Sequence, residues 1–491
     1  MTDVLVTHSY FLRLDSKQWK AMQPYAPLGP LYAISVLREA SLNVSFFDTM
    51  FAKSPQEVTS TLEKERPSVF VIYDDGFNYL TKMCLSNMRY AAFEMIALAK
   101  SFGCKIVVCS SDATDNYNLY LKKGANFVIM GEGELTLKEL VTLLLCGEEM
   151  DYSLVEGIVF NKKDEVIYTT KRKVTTTLDL LPMPAWDMVD INEYKTRWMK
   201  THGYFSLNVV TTRGCPYKCN WCAKPIYGNR YNVRSPENVV HELKFLINKF
   251  DPKHIWFCDD IFGLQPEWVR EFAALVKSNN LKFRFKIQSR ADLLIKKEIV
   301  GYLAEAGCDT VWLGAESGSQ RILDAMDKGI TIEQIHHATL LLRKYKIKPA
   351  FFLQFGYPGE LIEDIGLTMK MVNNLLPDDI GVSVSYPLPG TLFYNKVKEE
   401  LKIKTNWKDS DELALLFTNT YPPLFYKRLH RYVHKTYRKR QAVDLFKRLF
   451  HKSAKEDINY KRIIAYPYYY IMAEVERYRI KKIEPNVQSS F

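Results

Sequence analysis

Short apolar runs alternate with helix-like segments along most of this chain, and that alternation constrains its fold more than any other feature. In the first third the runs fall at residues 4–6, 44–47, 69–72, 106–108 and 127–130, with helical patterns at 31–39, 89–101 and 135–145. Continuous apolar runs of this length suit strands buried on both faces. Strand–helix–strand repetition implies parallel strands with crossover helices, so residues 1–150 are expected to form a doubly wound, Rossmann-like α/β domain. The alternation returns near residue 205, with strands expected at 207–211, 254–258, 283–288, 310–313, 350–355 and 381–385. In parallel α/β folds ligands meet the carboxyl ends of the strands, and the loops there are the candidate site.

At 491 residues the chain is too long for one core. Residues 151–200 read as a connector, holding a short hairpin (157–160 and 166–168) and the stretch Leu181-Pro182-Met183-Pro184-Ala185-Trp186. Residues 396–491 turn helical, basic and aromatic. From Tyr421 onward 17 Lys and Arg stand against 6 Asp and Glu, so the net charge of +11 lies almost wholly in this tail. Such a segment suits an anionic membrane surface, with a solvated or packed helix face as the alternative. No RNA-binding module is evident, and nucleic acid is not expected as a partner. The start does not read as a signal peptide, and no apolar run approaches the ~20 residues that span a bilayer. Nine cysteines without a paired framework fit a reducing compartment. The expected location is cytoplasmic, with peripheral contact at the inner membrane face left open.

One strand-end loop carries unusual chemistry. Arg213-Gly214-Cys215-Pro216-Tyr217-Lys218-Cys219-Asn220-Trp221-Cys222 spaces three thiols as C-x3-C-x2-C. Three is an odd number for tetrahedral zinc, whereas a [4Fe–4S] cluster held by three cysteines keeps one iron open to a substrate or cofactor. Gly214 and Pro216 favour a wrapped loop, and Trp221 is placed to shield a cluster. A zinc site with its fourth ligand elsewhere, or three unrelated cysteines, are the alternatives.

With this loop and the segments that follow, the chain resembles the radical S-adenosylmethionine (SAM) superfamily over about residues 3–394. The resemblance implies a partial (βα)6 TIM-type barrel over 201–395 and a cluster on Cys215, Cys219 and Cys222. It implies reductive cleavage of SAM to a 5′-deoxyadenosyl radical that removes a hydrogen atom from substrate. It also implies SAM contacts at Asp259 and Asp260 after the second barrel strand, and at Arg290 after the third. Glu316 and Ser317 follow in Gly314-Ala315-Glu316-Ser317, with Ser317 expected to cap the next helix. Gln354 and Gly356 lie at the end of the fifth strand, and Pro387-Leu388-Pro389-Gly390-Thr391 follows the sixth. An aspartate helix cap and a structural Arg290–Asp292 salt bridge are the plainer readings of two of these.

The N-terminal loops resemble those of the cobalamin-binding group of that superfamily, which includes magnesium-protoporphyrin ester cyclases and class B methylases. The implied cobalamin contacts are Leu28, Gly29, Asp74, Asp75, Ser111, Asp112, Ala113, Thr114, Gly131, Glu132, Gly133 and Glu134. No Asp-x-His-x-x-Gly motif is present, so no histidine is offered to cobalt, and Ser110-Ser111 replaces the glycine pair often found after the fourth strand. A Rossmann-like relic that binds nothing is the alternative. The expected protein is a cobalamin-dependent radical SAM enzyme, with C-methylation as the expected outcome. Oxidative cyclisation or rearrangement is the rival outcome, and a non-catalytic cofactor-binding protein the rival class. A small-molecule or lipid-like substrate and a flavodoxin- or ferredoxin-type electron donor are the expected partners. No catalytic side chain is singled out.

Overall fold

A computed structural model describes residues 2–484 apart from 148, 149, 164, 223, 225, 297, 402, 403 and 450–458. The first sheet comprises β1 (Val4–Thr7), β2 (Val44–Phe47), β3 (Val69–Tyr73), β4 (Lys105–Cys109), β5 (Phe127–Ile129), β6 (Ile158–Lys162) and β7 (Glu165–Tyr168), in the order β2-β1-β3-β4-β5-β6-β7. The first five run parallel and are the five expected strands. All of β3 is buried, as a strand covered by helices on both faces must be. The hairpin expected in the connector extends this sheet, β6 pairing antiparallel with β5.

The second unit begins with β8 (Ser206–Val209). The two-residue strands β9 (Thr212–Arg213) and β10 (Asn232–Val233) follow, then β11 (His254–Phe257), β12 (Arg284–Ser289), β13 (Cys308–Glu316), β14 (Lys348–Phe355) and β15 (Asp379–Val384). Its six long strands form a parallel sheet in the order β15-β14-β13-β12-β11-β8, a partial barrel open between its edge strands. Along β15 half-buried and buried residues alternate, one set facing the barrel interior and the other the surrounding helices. All six expected strands are present.

The structure corrects two expectations. Ser110–Thr114 is not a loop, because helix Ser111–Lys123 starts there, and the Ser110 hydroxyl caps it by accepting from the Ala113 N–H at 2.9 Å. Ser317 does not cap the helix that follows it. That helix, Gln320–Ala325, has Ser319 at its N-cap, and the Ser317 hydroxyl accepts from the Ser319 N–H at 3.1 Å.

The two sheets share one apolar core that runs through the connector. Trp198, on helix Ile191–His202, is fully buried and donates to the Pro24 carbonyl at 2.7 Å. Trp186 donates to Glu242 of the barrel helix Pro236–Phe250 at 3.2 Å. An apolar interface of this kind holds two domains in one relative position. The basic tail forms helix Pro423–Arg448, which lies against the β15 edge. There Tyr437 donates to the Pro377 carbonyl at 2.8 Å and Arg438 pairs with Asp379 at 3.2 Å.

Candidate active site

The cysteine loop leaves β8 and is tied down at both ends. Thr212 and Arg213 pair antiparallel with Val233 and Asn232, closing the intervening residues into one loop. Gly214 has φ +82°, and a Cβ there would lie 2.6 Å from the Arg230 carbonyl oxygen, so only glycine fits. Asp259, just beyond β11, accepts from the Thr211 N–H at 2.7 Å, the Thr211 hydroxyl at 2.6 Å and the Thr212 N–H at 2.8 Å. Asn220, inside the loop, donates to Ala325 at 2.8 Å and to Asp327 at 2.7 Å, and accepts from the Tyr357 hydroxyl at 2.9 Å.

Cys215, Cys219 and Cys222 are all free thiols with partial exposure. Burial pushes the Cys215 thiol up and the Cys222 thiol to about 12. Among the described residues no group of three or more His, Cys, Asp or Glu is arranged to hold a metal ion, although the three thiols are close enough that Cys219 adds to the rise at Cys215 and Cys222. The donor set nonetheless suits a thiolate-bound iron–sulfur cluster. Three thiols lie within one short loop, and the two cations beside it are each paired with an acid, Arg290 with Asp292 at 2.9 Å and Lys328 with Glu316. Arg290 stands 3.9 Å from the Cys219 sulfur and stacks on Tyr217 at 3.7 Å. Lys328 lies 5.8 Å from the centre of Trp221, whose buried indole N–H has no partner among the described residues.

The loops of the first sheet meet this one. Arg213 is buried between Glu132 and Glu134, pairing with the latter at 2.8 Å, and lies within 5.5 Å of the ring centres of Tyr32, Phe77 and Tyr227. Lys82 pairs with Asp260 at 2.5 Å. The carboxyl ends of both sheets therefore face one another across the cysteine loop.

Most of the acids expected to touch ligands are engaged by protein. Besides Asp259 and Asp260, Glu316 pairs with Lys328 at 2.8 Å, and both are buried. Asp74 accepts from the Ser9 N–H at 2.7 Å and hydroxyl at 2.9 Å, and burial pushes it up to about 6. Asp75 accepts from the N–H groups of Gly29 at 3.2 Å and Phe77 at 3.0 Å. Asp112 takes two hydrogen bonds from Arg89, at 2.7 and 2.5 Å, and one from Tyr120 at 2.7 Å. Glu132 also accepts from the Thr175 N–H at 2.5 Å. Leu28 and Ala113 are fully buried, and the Thr114 hydroxyl bonds back to the Ser110 carbonyl at 2.9 Å. A Cβ on Gly133 would meet the Cys109 sulfur at 2.5 Å, so the space beside Gly133 is filled from within. Gly131, at φ +89°, has only the Ile226 carbonyl near it among the described residues. In the barrel Gln354 donates to Ser385 at 2.9 Å, and the Ser317 hydroxyl lies 3.1 Å from that of Thr368. Gly356 has φ +76° and donates its N–H to Glu360 at 2.6 Å. Sequence reasoning missed Arg213, Asn220, Lys328 and Glu360. Arg213 and Asn220 could have been found by their place beside the cysteines.

Residues 209–372 match the family model of the radical SAM superfamily. The match falls on the barrel unit. An uncharacterized methyltransferase of Pyrococcus horikoshii is 28% identical over 78% of this chain and 81% of its own length. The anaerobic magnesium-protoporphyrin IX monomethyl ester cyclase of Rubrivivax gelatinosus is 26% identical over 56% of this chain, which spans only 50% of that cyclase. Among solved structures, the cobalamin-dependent SAM radical enzyme OxsB, with aqua-cobalamin bound, superimposes with a TM-score of 0.75 at 18% identity, over 99% of this chain and 74% of its own. The methyltransferase TsrM from Kitasatospora setae, with cobalamin and a [4Fe–4S] cluster bound, gives 0.69 at 20% identity, over 81% and 78%. These likenesses establish a shared fold.

Proposed function

We propose that this chain is a cobalamin-dependent radical SAM enzyme that modifies an unactivated carbon, by methylation in the simplest case. The observation that carries the reading is the pinned cysteine loop at the meeting of the two sets of strand ends, which supports two cofactor sites facing one space. Cys215, Cys219 and Cys222 would hold a [4Fe–4S] cluster, which when bound supplies the electron for reductive SAM cleavage. Asp259 and Asn220 hold the loop in place, and Trp221 shields it from water. Arg290 and Lys328 place hydrogen-bond donors beside the loop, their charges being met by Asp292 and Glu316. Gln354 would line the nucleoside side, whereas Gly356 is covered by Tyr426 and Leu415 and its carbonyl accepts from Asn419 at 2.7 Å. The backbone at Gly131 would face cobalamin, while Gly29 is packed on Asp74 and Asp75 and the buried acids set the shape of the loops. Hard chemistry of this kind belongs to the cofactors, and the protein's part is orientation and exclusion of water.

Anaerobically reconstituted protein should form 5′-deoxyadenosine or demethylated SAM with a low-potential flavodoxin- or ferredoxin-type donor. The Cys215→Ala, Cys219→Ala, Cys222→Ala triple variant should lose both this activity and the cluster absorbance. A full cluster in the triple variant would refute the assignment. Product mass separates methylation, which adds one CH2 unit, from cyclisation or rearrangement.

The tail supports a working place beside an anionic membrane. On helix Tyr466–Ile483, Ala473, Glu476 and Ile480 are buried, against helix Pro423–Arg448. The opposite side carries Ile471, Val475 and Tyr478 at four- and three-residue spacing, with Ile464 earlier in the chain and Lys461, Arg479 and Lys482 alongside. An apolar stripe with basic flanks fits the headgroup region of an anionic bilayer. A second copy fits poorly, since it would bring two strongly basic segments together. Among the described residues no helix is long and apolar enough to cross a membrane.

A further inference from the structure

Residues of β12 alternate between two environments. Phe285 and Ile287 are buried, and Phe285 packs on Phe257 and Phe272 beneath the helices. Lys286 and Gln288 point the other way, into the space the open barrel encloses, and both keep part of their surface accessible. The Lys286 ammonium lies 5.2 Å from the ring centre of Tyr25 and 5.3 Å from that of Trp256. Among the described residues no carboxylate and no hydrogen-bond acceptor reaches it.

Burial pushes this ammonium down to about 8. A lysine that keeps accessible surface and is nonetheless desolvated faces a recess rather than bulk water. Two aromatic faces return only part of the lost hydration. In the recess no carboxylate among the described residues offsets the ammonium's charge. The recess wall has matching character, because Trp312 and Phe352 stack at 4.6 Å on β13 and β14 and both remain partly exposed. Gly381 on β15 leaves them room, since a Cβ there would lie 3.1 Å from Phe352 and 3.3 Å from Trp312. Arg290, beside Cys219, is four residues beyond Lys286, about 13 Å along the strand.

We infer that Lys286 is the anion-binding residue of the substrate site. The substrate carries a carboxylate or phosphate held by Lys286, on a flat or apolar body lying along Trp312 and Phe352, with its reacting carbon toward the cysteine loop. This inference rests on the radical SAM reading of the barrel, which puts the chemistry at that loop.

Three matched probes test it on the full chain by equilibrium dialysis: naphthaleneacetate, naphthyl phosphate and the neutral naphthylethanol. One anion should bind roughly 10- to 100-fold tighter than the alcohol at pH 7, the range of a charge-assisted hydrogen bond, and the preferred one distinguishes carboxylate from phosphate. Lys286→Met should abolish the preference and Lys286→Arg should retain it. Equal affinity for all three probes overturns the inference. Should Lys286→Met fail to fold, the wild-type pH profile decides. Around Lys286, burial pushes Tyr25 and Tyr204 up and His254 down to about 3, while Asp309 and Lys348 pair with each other at 3.4 Å. Of the three groups with shifted titrations nearest it, none changes charge between pH 7 and 9, so the preference should fall over that range. A preference undiminished at pH 9.5 overturns the inference. SAM cleavage by reconstituted wild type is scored separately. Cleavage without an anion preference removes the Lys286 assignment alone, whereas an anion preference without cleavage removes the radical reading on which the assignment rests.

Discussion

Replacing Glu360 by Gln should stabilise the protein, and by an amount that depends on pH. Glu360 is fully buried, one carboxyl oxygen accepts from the Gly356 N–H at 2.6 Å, and the other has no partner among the described residues. Burial pushes its titration from 4.5 up to about 8. The folded value is above the unfolded one, so the fold takes up a proton. The stabilisation from this group is fully present below about pH 4.5 and is lost as pH rises through about 8. Relative to a neutral side chain, the carboxyl costs about 3 kcal/mol at pH 7 and about 1 kcal/mol at pH 5. Glutamine keeps an acceptor for Gly356 and carries no charge in either state. Urea titrations followed by tryptophan fluorescence, on both proteins at both pH values, should show a gain about 2 kcal/mol larger at pH 7. Asp74 and Asp259, both pushed up to about 6 by burial, titrate in the two proteins alike and cancel in the comparison. A gain equal at the two pH values would refute the reasoning, because the carboxyl would then titrate alike in the folded and unfolded chain.

Arg213→Ala should destabilise by about 3–5 kcal/mol in the same urea assay and lower cluster yield, because it leaves Glu132 and Glu134 buried without their cation; a loss below about 1 kcal/mol would show that the pair is solvated. Reconstitution with cobalamin should give a Co(II) electron paramagnetic resonance signal without histidine nitrogen splitting, since the chain has no Asp-x-His-x-x-Gly motif. Splitting from a protein histidine, or no retained cobalamin, counts against the cobalamin reading. The protein should sediment with anionic vesicles at low salt and much less at high salt, each basic residue at the surface contributing up to about 1 kcal/mol. Ile471→Glu with Tyr478→Glu should weaken this, and negligible binding to anionic vesicles at low salt would leave the tail as a packing element.

The parallel strands of both sheets are legible because their burial on both faces, or on one face beneath helices, leaves dense apolar runs in the sequence. Helix Ser111–Lys123 is not, because its capping sequence, Ser110-Ser111-Asp112, uses the same residue types that make turns. The hairpin β6–β7 is legible as a hairpin, but its own pattern carries no information about which sheet edge it joins. The site divides in the same way. The cysteine triad is a local pattern and stands out. Acid partners are not local, since Asp259 answers to Thr211, 48 positions away, and Arg213 to Glu134, 79 positions away.

Lys286 marks where sequence reasoning stops. Phe285-Lys286-Ile287-Gln288 alternates as a strand with one polar face should, and in an open sheet that face would be solvated and unremarked. Curvature of the sheet turns the same face inward, so a residue type that ordinarily signals solvent comes to line an enclosed space. That curvature is a property of six strands together, and no window on β12 contains it.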